Sequence, residues 1–237
     1  MKKTPLIGMT TLCFERNSIG GHWFVSNNTY SQAILASGAI PVPIPSNLKE
    51  DELDIYLDKV DGILFIGGPD LPPKFYGQEP CFELNTLPDF VAQNHLTLVK
   101  KTYAKKIPML GICLGMQEFN VAFGGKLIQD LQEKTPIHRI NNPLEDQVHK
   151  AQILPDTKLS SIFSATTITV NSCHHQALDS QFIPKELKIA AMCDDVIEAV
   201  EFTGDIFRIG VQWHPERILD TWHKEKLFTN FINACKK

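Results

Sequence analysis

Through the first half of the chain, short apolar runs alternate with longer amphipathic stretches. Leu6-Ile7-Gly8-Met9-Thr10, Gly62-Ile63-Leu64-Phe65-Ile66 and Ile107 to Ile112 are apolar runs of strand length. That pattern belongs to strands buried on both faces. Ile40-Pro41-Val42-Pro43-Ile44-Pro45 is extended, because proline cannot continue a helix and biases its predecessor toward β; its three prolines place it at a sheet edge or strand end. Between these runs the pattern predicts helices over Asn28 to Ser37, stopped by Gly38, and over Leu48 to Leu57, Pro88 to Lys105 and Leu114 to Phe123. Residues 11–24, with Gly20-Gly21-His22-Trp23, read as irregular. The strand–helix alternation predicts a mostly parallel, doubly wound α/β sheet of flavodoxin-like type, with helices on both faces.

After Gly124-Gly125 the texture changes. Lys126 to Gln129 reads as a short strand, and residues 132–147, with His138-Arg139, as a polar irregular stretch. Val148 to Leu154 and the β-branched run Thr166 to Val170 read as strands. Leu187 to Met192, Val196 to Phe202 and Ile206 to Trp213 follow as strands with turn residues between them, and a last helix covers about Leu219 to Ala234. These later strands predict an antiparallel extension of the main sheet. No repeat or linker interrupts the 237 residues, so one domain over 1–237 is expected.

Composition narrows the function. The formal net charge is −4, with no long cationic run, which gives no reason to expect nucleic acid as a partner. Lys100-Lys101 and Lys105-Lys106 read as a solvated helix face. No apolar stretch reaches the length of a membrane span, and the N-terminus lacks the apolar segment of a secretory signal. The six cysteines form no C-x-x-C pair, so they read as reduced thiols of a cytoplasmic protein rather than zinc ligands or disulfides.

The chemistry concentrates at Gly111-Ile112-Cys113-Leu114-Gly115-Met116-Gln117. Gly-x-Cys-x-Gly between a strand and a helix has the form of a nucleophile elbow, where small neighbours let the backbone pass close by. A helix N-terminus there favours thiolate over thiol. A cysteine nucleophile needs a base, and the base an orienting carboxylate. His214-Pro215-Glu216, at the end of an apolar strand, offers both. An oxyanion needs two donors: the N–H of Leu114 is one, and the N–H of Gly68, in Gly67-Gly68-Pro69-Asp70, is the natural second if strand 62–66 lies beside strand 107–112. His174-His175 is not expected to hold a metal, because adjacent strand residues point to opposite faces. Trp23 and Tyr30 are candidates for the pocket mouth and, equally, for packing.

These motifs resemble those of class I glutamine amidotransferase domains, and within them the γ-glutamyl-γ-aminobutyrate hydrolase group. Pro73 to Gly77, Asn120 to Gly125, Val170-Asn171-Ser172-Cys173-His174-His175-Gln176 and Gly210 to Glu216 extend the resemblance over about residues 5–232. It implies a hydrolase of γ-glutamyl amides that uses no cofactor and no metal. Cys113 would attack the δ-carbonyl, His214 carry the proton, Glu216 orient His214, and Gly68 and Leu114 hold the oxyanion. Gln117 would hold the glutamyl moiety, with Ser172, His174 and His175 meeting the same moiety or the leaving amine. Similar proteins are often homodimers. A glutaminase subunit feeding ammonia to a separate synthetase partner, or a non-catalytic binding protein on the same fold, would carry much of the same pattern. The chain departs from the hydrolase group in three places. The usual Arg-Asp pair and following Glu are absent from Asp89 to His95, Leu114 stands where many members have Arg, and Asp194-Asp195 stands where Gly often follows Asp. These differences bear on leaving-group specificity and assembly rather than on the Cys, His and Glu.

Overall fold

The computed structural model describes residues 3–15, 20–82, 84–131, 147–218 and 221–236. The polar stretch predicted at 132–147 falls almost wholly outside them, as does the predicted helix start at 219–220. The elements are β1 (Leu6–Met9), β2 (Leu12–Glu15), β3 (His22–Val25), α1 (Asn28–Ala36), β4 (Ile40–Pro43), α2 (Glu50–Leu57), β5 (Gly62–Phe65), α3 (Asp89–Ala104), β6 (Met109–Ile112), α4 (Leu114–Ala122) and β7 (Leu127–Ile128). They continue with β8 (Gln147–Ile153), α5 (Lys158–Phe163), β9 (Thr167–Ser172), β10 (Ala177–Leu178), β11 (Leu187–Cys193), β12 (Val196–Phe202), β13 (Arg208–Val211) and α6 (Thr221–Ala234).

Among the described residues, nine strands form one sheet in the order β4-β1-β5-β6-β13-β12-β11-β8-β9. The first five are parallel, with β5 beside β6 and β6 beside β13. The last four run antiparallel to their neighbours. The proline-rich strand β4 lies at one edge, where a missing N–H costs no ladder bond.

Strand alternation sends apolar side chains to both faces. Leu64, Ile66, Leu110 and Ile112 join one buried cluster with Ile34 of α1 and Phe228 and Phe231 of α6. Ile63, Phe65 and Met109 join the other with Val91 of α3 and Met116 and Phe119 of α4. Each large side chain so buried contributes roughly 1.5–3 kcal/mol before conformational entropy is set against it.

Three elements differ from the sequence reading. Residues 12–25 are not irregular throughout: β2 and β3 form an antiparallel hairpin with Phe14 opposite Trp23. Its exposed aromatics, Phe14 and Trp23, do not follow an inward–outward rhythm, which hid the strands from a periodicity argument. Helix α5 is short, and its start is set by the Thr157 cap, whose hydroxyl accepts from the Ser160 N–H at 3.0 Å, rather than by a long apolar stripe. The two-residue β10 was not predicted either. The lysines at the end of α3 also do not form a wholly solvated face: Lys101 reaches Asp54 of α2 at 2.9 Å, and Lys105, just past α3, reaches Asp58, just past α2, at 2.7 Å. Such exposed pairs add little to stability. No helix among the described residues is long and apolar enough to cross a membrane.

Candidate active site

Three adjacent parallel strands, β5, β6 and β13, end at one rim of the sheet and deliver Gly67-Gly68, Cys113 and His214 respectively. Ligand sites of open α/β sheets form at this carboxyl end. Cys113 caps the N-terminus of α4 with φ 51° and ψ −105°, a left-handed backbone that a non-glycine residue adopts only under constraint. The constraint is visible on both sides. The Cys113 N–H is fixed to the Val211 carbonyl at 2.8 Å, and α4 starts directly against β5. A Cβ at Gly115 would run into the Phe65 backbone, and one at Gly111 would lie 2.8 Å from the Gly115 carbonyl. Both glycines are therefore needed for close approach.

His214 is 7% exposed and Glu216 3%. The His214 Nδ1–H donates to Glu216 Oε1 at 2.8 Å, which leaves Nε2 to meet the Cys113 thiol. Burial opposes a charge on the imidazole. Glu216 and Cys113 on its two sides outweigh that burial and hold its pKa well above the ordinary histidine range. The backbone of His214 is clamped by Asn171 of β9: its N–H donates to Asn171 Oδ1 at 2.9 Å, and Asn171 Nδ2 donates back to its carbonyl at 3.0 Å.

Gly68 packs against the Leu12 and Leu114 side chains: a Cβ there would sit 2.7 Å from Leu12 Cδ2 and 3.0 Å from Leu114 Cδ2. The preceding N–H, that of Gly67, donates to the Tyr30 hydroxyl at 3.0 Å. Burial first, then the Glu216 and Cys113 charges, push the Tyr30 phenol well above its ordinary pKa, so it stays protonated. Tyr30 is therefore packed inside the site rather than at its mouth.

The predicted substrate residues divide. Gln117 lies in the site, its Nε2 donating to the Gln176 carbonyl and to Gln212 Oε1, each at 3.3 Å. Ser172, at the end of β9, is fully buried. His174 and His175 follow β9 in a turn, not within a strand, and diverge. The buried His174 holds its Nδ1 2.9 Å from the Gln176 carbonyl and its Nε2 toward Glu198 at 3.8 Å. His175 lies between Asp70 at 2.9 Å and Asp130 at 3.7 Å, joining the glycine loop to the strand pair β7–β10. Among the described residues no group of three or more His, Cys, Asp or Glu is arranged to hold a metal.

Two contributors, Asn171 and Gln212, had no role in the sequence reading, and Tyr30 was placed only at the mouth or in packing. Asn171 and Tyr30 reach the site across more than forty and eighty positions of chain from Cys113 or His214. Gln212 donates its side-chain N–H to Cys113 Sγ at 3.4 Å. Its signal was available: strand alternation puts residue 212 on the same side as residue 214. Where the Arg-Asp pair is absent, α3 instead contributes His95, buried and 2.7 Å from Glu118 of α4.

Residues 5–216 match the Peptidase C26 family. The chain is 32% identical to a glutamine amidotransferase-like protein of Rickettsia prowazekii, covering 100% of this chain and 99% of that one. It is also 32% identical to the γ-glutamyl-γ-aminobutyrate hydrolase of Escherichia coli O157:H7, covering 98% and 94%. Among solved structures, the glutaminase domain of Trypanosoma brucei CTPS with bound acivicin superposes with a TM-score of 0.68 at 16% identity, covering 98% and 94%. That likeness concerns the fold, a mostly parallel sheet of the class I glutamine amidotransferase type. The match over residues 5–216, carrying Cys113, His214 and Glu216 within it, makes this chain a member of the Peptidase C26 family.

Proposed function

We propose that the protein hydrolyses γ-glutamyl amides through a glutamyl thioester on Cys113, releasing glutamate and an amine. The observation that carries this reading is the buried His214–Glu216 pair, hydrogen-bonded at 2.8 Å, next to Cys113 on a strained turn at a helix N-terminus. The elevated pKa of His214 keeps its imidazole protonated beside the Cys113 sulfur, ready to serve the leaving amine. The thiolate attacks the δ-carbonyl carbon, and the oxyanion settles on the N–H groups of Gly68 and Leu114. His214 gives its Nε2 proton to the departing amine as the C–N bond breaks. It then takes a proton from water, whose oxygen attacks the thioester carbonyl. The C–S bond breaks with its electron pair returning to sulfur, and glutamate leaves.

Gln117, Ser172 and His174 supply polar atoms near the glutamyl moiety, and His175 steadies the Asp70 loop. The hydrolase relative suggests γ-aminobutyrate, or a chemically related amine, as the leaving group. A stand-alone enzyme in a reducing cytoplasm suits a mechanism that needs a free thiol.

The test is glutamate release by the purified protein from γ-glutamyl-γ-aminobutyrate, a γ-glutamyl polyamine, a γ-glutamyl dipeptide and glutamine. Release from one amide with little from glutamine is expected, and it would name the leaving amine. Silence across the panel from folded protein would overturn the stand-alone hydrolase and favour a glutaminase that needs its synthetase.

A further inference from the structure

We propose that Gln212 is a catalytic residue of this site, donating its amide N–H to Cys113 Sγ to stabilise the thiolate both in the free enzyme and as a leaving group. The inference rests on Cys113 being the nucleophile. Gln212 lies one residue beyond β13 and is completely buried. The parallel pairing of Val211 with Ile112 brings it level with Cys113. Its Nε2 is 3.4 Å from the sulfur, a hydrogen-bonding distance for that large atom.

Which end of the amide faces the sulfur decides whether the contact helps or harms a thiolate, and the surrounding bonds fix it. The Gln176 backbone carbonyl can only accept. The end of the Gln117 amide that meets it, at 3.3 Å, is therefore the NH₂. That same NH₂ meets one end of the Gln212 amide at 3.3 Å, so this end is the oxygen. The remaining end, the Gln212 NH₂, is the one against Cys113. The series starts from a backbone group that cannot flip, so the donor role does not depend on assigning either amide by itself.

Gln212 donates to the sulfur, and His214 stands beside the same atom. The imidazolium proton leaves with the amine during acylation. The Gln212 proton does not leave, so it is present when water attacks the thioester. As the second tetrahedral intermediate collapses, the C–S bond breaks and its electron pair moves to sulfur, beside the Gln212 N–H. His214 holds the proton taken from water at that moment. A donor that strengthens as charge develops on the leaving sulfur lowers the barrier to that step.

Alkylation of Cys113 by iodoacetamide, followed by peptide mass spectrometry across acid to neutral pH, tests this without substrate. Gln212→Met keeps the side-chain volume and removes the donor. The expected result is alkylation slower by about tenfold at acid pH, the size of one hydrogen bond to a charged group, with rates converging at alkaline pH. An unchanged profile in folded Gln212→Met overturns the proposal. If that variant does not fold, Gln117→Glu removes the donor that holds the Gln212 oxygen, and the same displacement is expected; no displacement overturns the proposal equally. Wild-type Cys113 reacting no faster than the exposed Cys81 would instead overturn the nucleophile reading beneath it.

Discussion

Glu216 acts on the site mainly through charge. Its carboxylate and the Cys113 sulfur keep His214 protonated to a higher pH than burial alone would allow. Glu216→Gln keeps the hydrogen bond to Nδ1 and removes the charge, so His214 loses its proton at lower pH. The alkaline limb of the pH dependence of kcat/KM therefore moves to lower pH in this variant; an unmoved limb would mean that Glu216 does not tune His214. Tyr30 tests the same group from the other side. Tyr30→Phe removes the phenol packed near Glu216 and leaves the buried Gly67 N–H without its acceptor. We expect kcat to fall by about tenfold, the equivalent of one hydrogen bond, with KM little changed. Steady-state kinetics on the preferred amide checks this.

Between elements, the contact of α3 and α4 is built on a buried polar pair. His95 Nδ1 meets Glu118 at 2.7 Å, and His95 Nε2 meets Ser46 Oγ at 2.9 Å and the Thr11 carbonyl at 3.2 Å. One ring thus joins two helices to the loops after β1 and β4. Removing one partner of a fully buried pair costs about 3–5 kcal/mol, whereas replacing both with apolar groups is often near neutral. Urea denaturation should show a large loss for Glu118→Leu and a smaller loss for the double variant with His95→Leu; equal losses would refute the coupling.

This contact also marks the limit of what the chain alone reveals. The strand runs, the helix order, Cys113 on its elbow and His214-Pro215-Glu216 are local patterns, and they were legible. His95–Glu118, Tyr30–Gly67 and Asn171–His214 join residues far apart in sequence, and neither spacing nor propensity encodes such pairings. The β2–β3 hairpin was missed for a different reason: its faces do not alternate in burial. The dense glycine pattern was legible as a turn, but only the register of α4 against β5 shows that Gly115 faces the Phe65 backbone.

On the scale of the molecule, a five-stranded parallel unit carries Cys113 and His214, and a four-stranded antiparallel unit is attached at β13–β12. Within the second unit, Glu198 of β12 draws together His149 of β8 and His174 just after β9. Burial would raise its pKa, but hydrogen bonds from His149 of β8 and from His174 reverse this and draw it down from 4.5 to about 2. A carboxylate lowered in the folded state contributes stability that is complete above pH 4.5 and is lost as pH falls toward about 2. Glu198→Gln should flatten the acid side of the stability–pH curve in that window, as followed by thermal melting; an unchanged slope would place the acid sensitivity elsewhere.

The rim formed by β5, β6 and β13 is the centre of the account. It holds that one thiol performs the chemistry with a base and donors brought by neighbouring strands. The most direct measurement is glutamate release from the preferred γ-glutamyl amide by wild-type protein and by Cys113→Ala, with folding of both verified. The account predicts turnover by the wild type and a loss on the order of 10⁴-fold or more in the variant. Release by Cys113→Ala at a rate near wild type would contradict it.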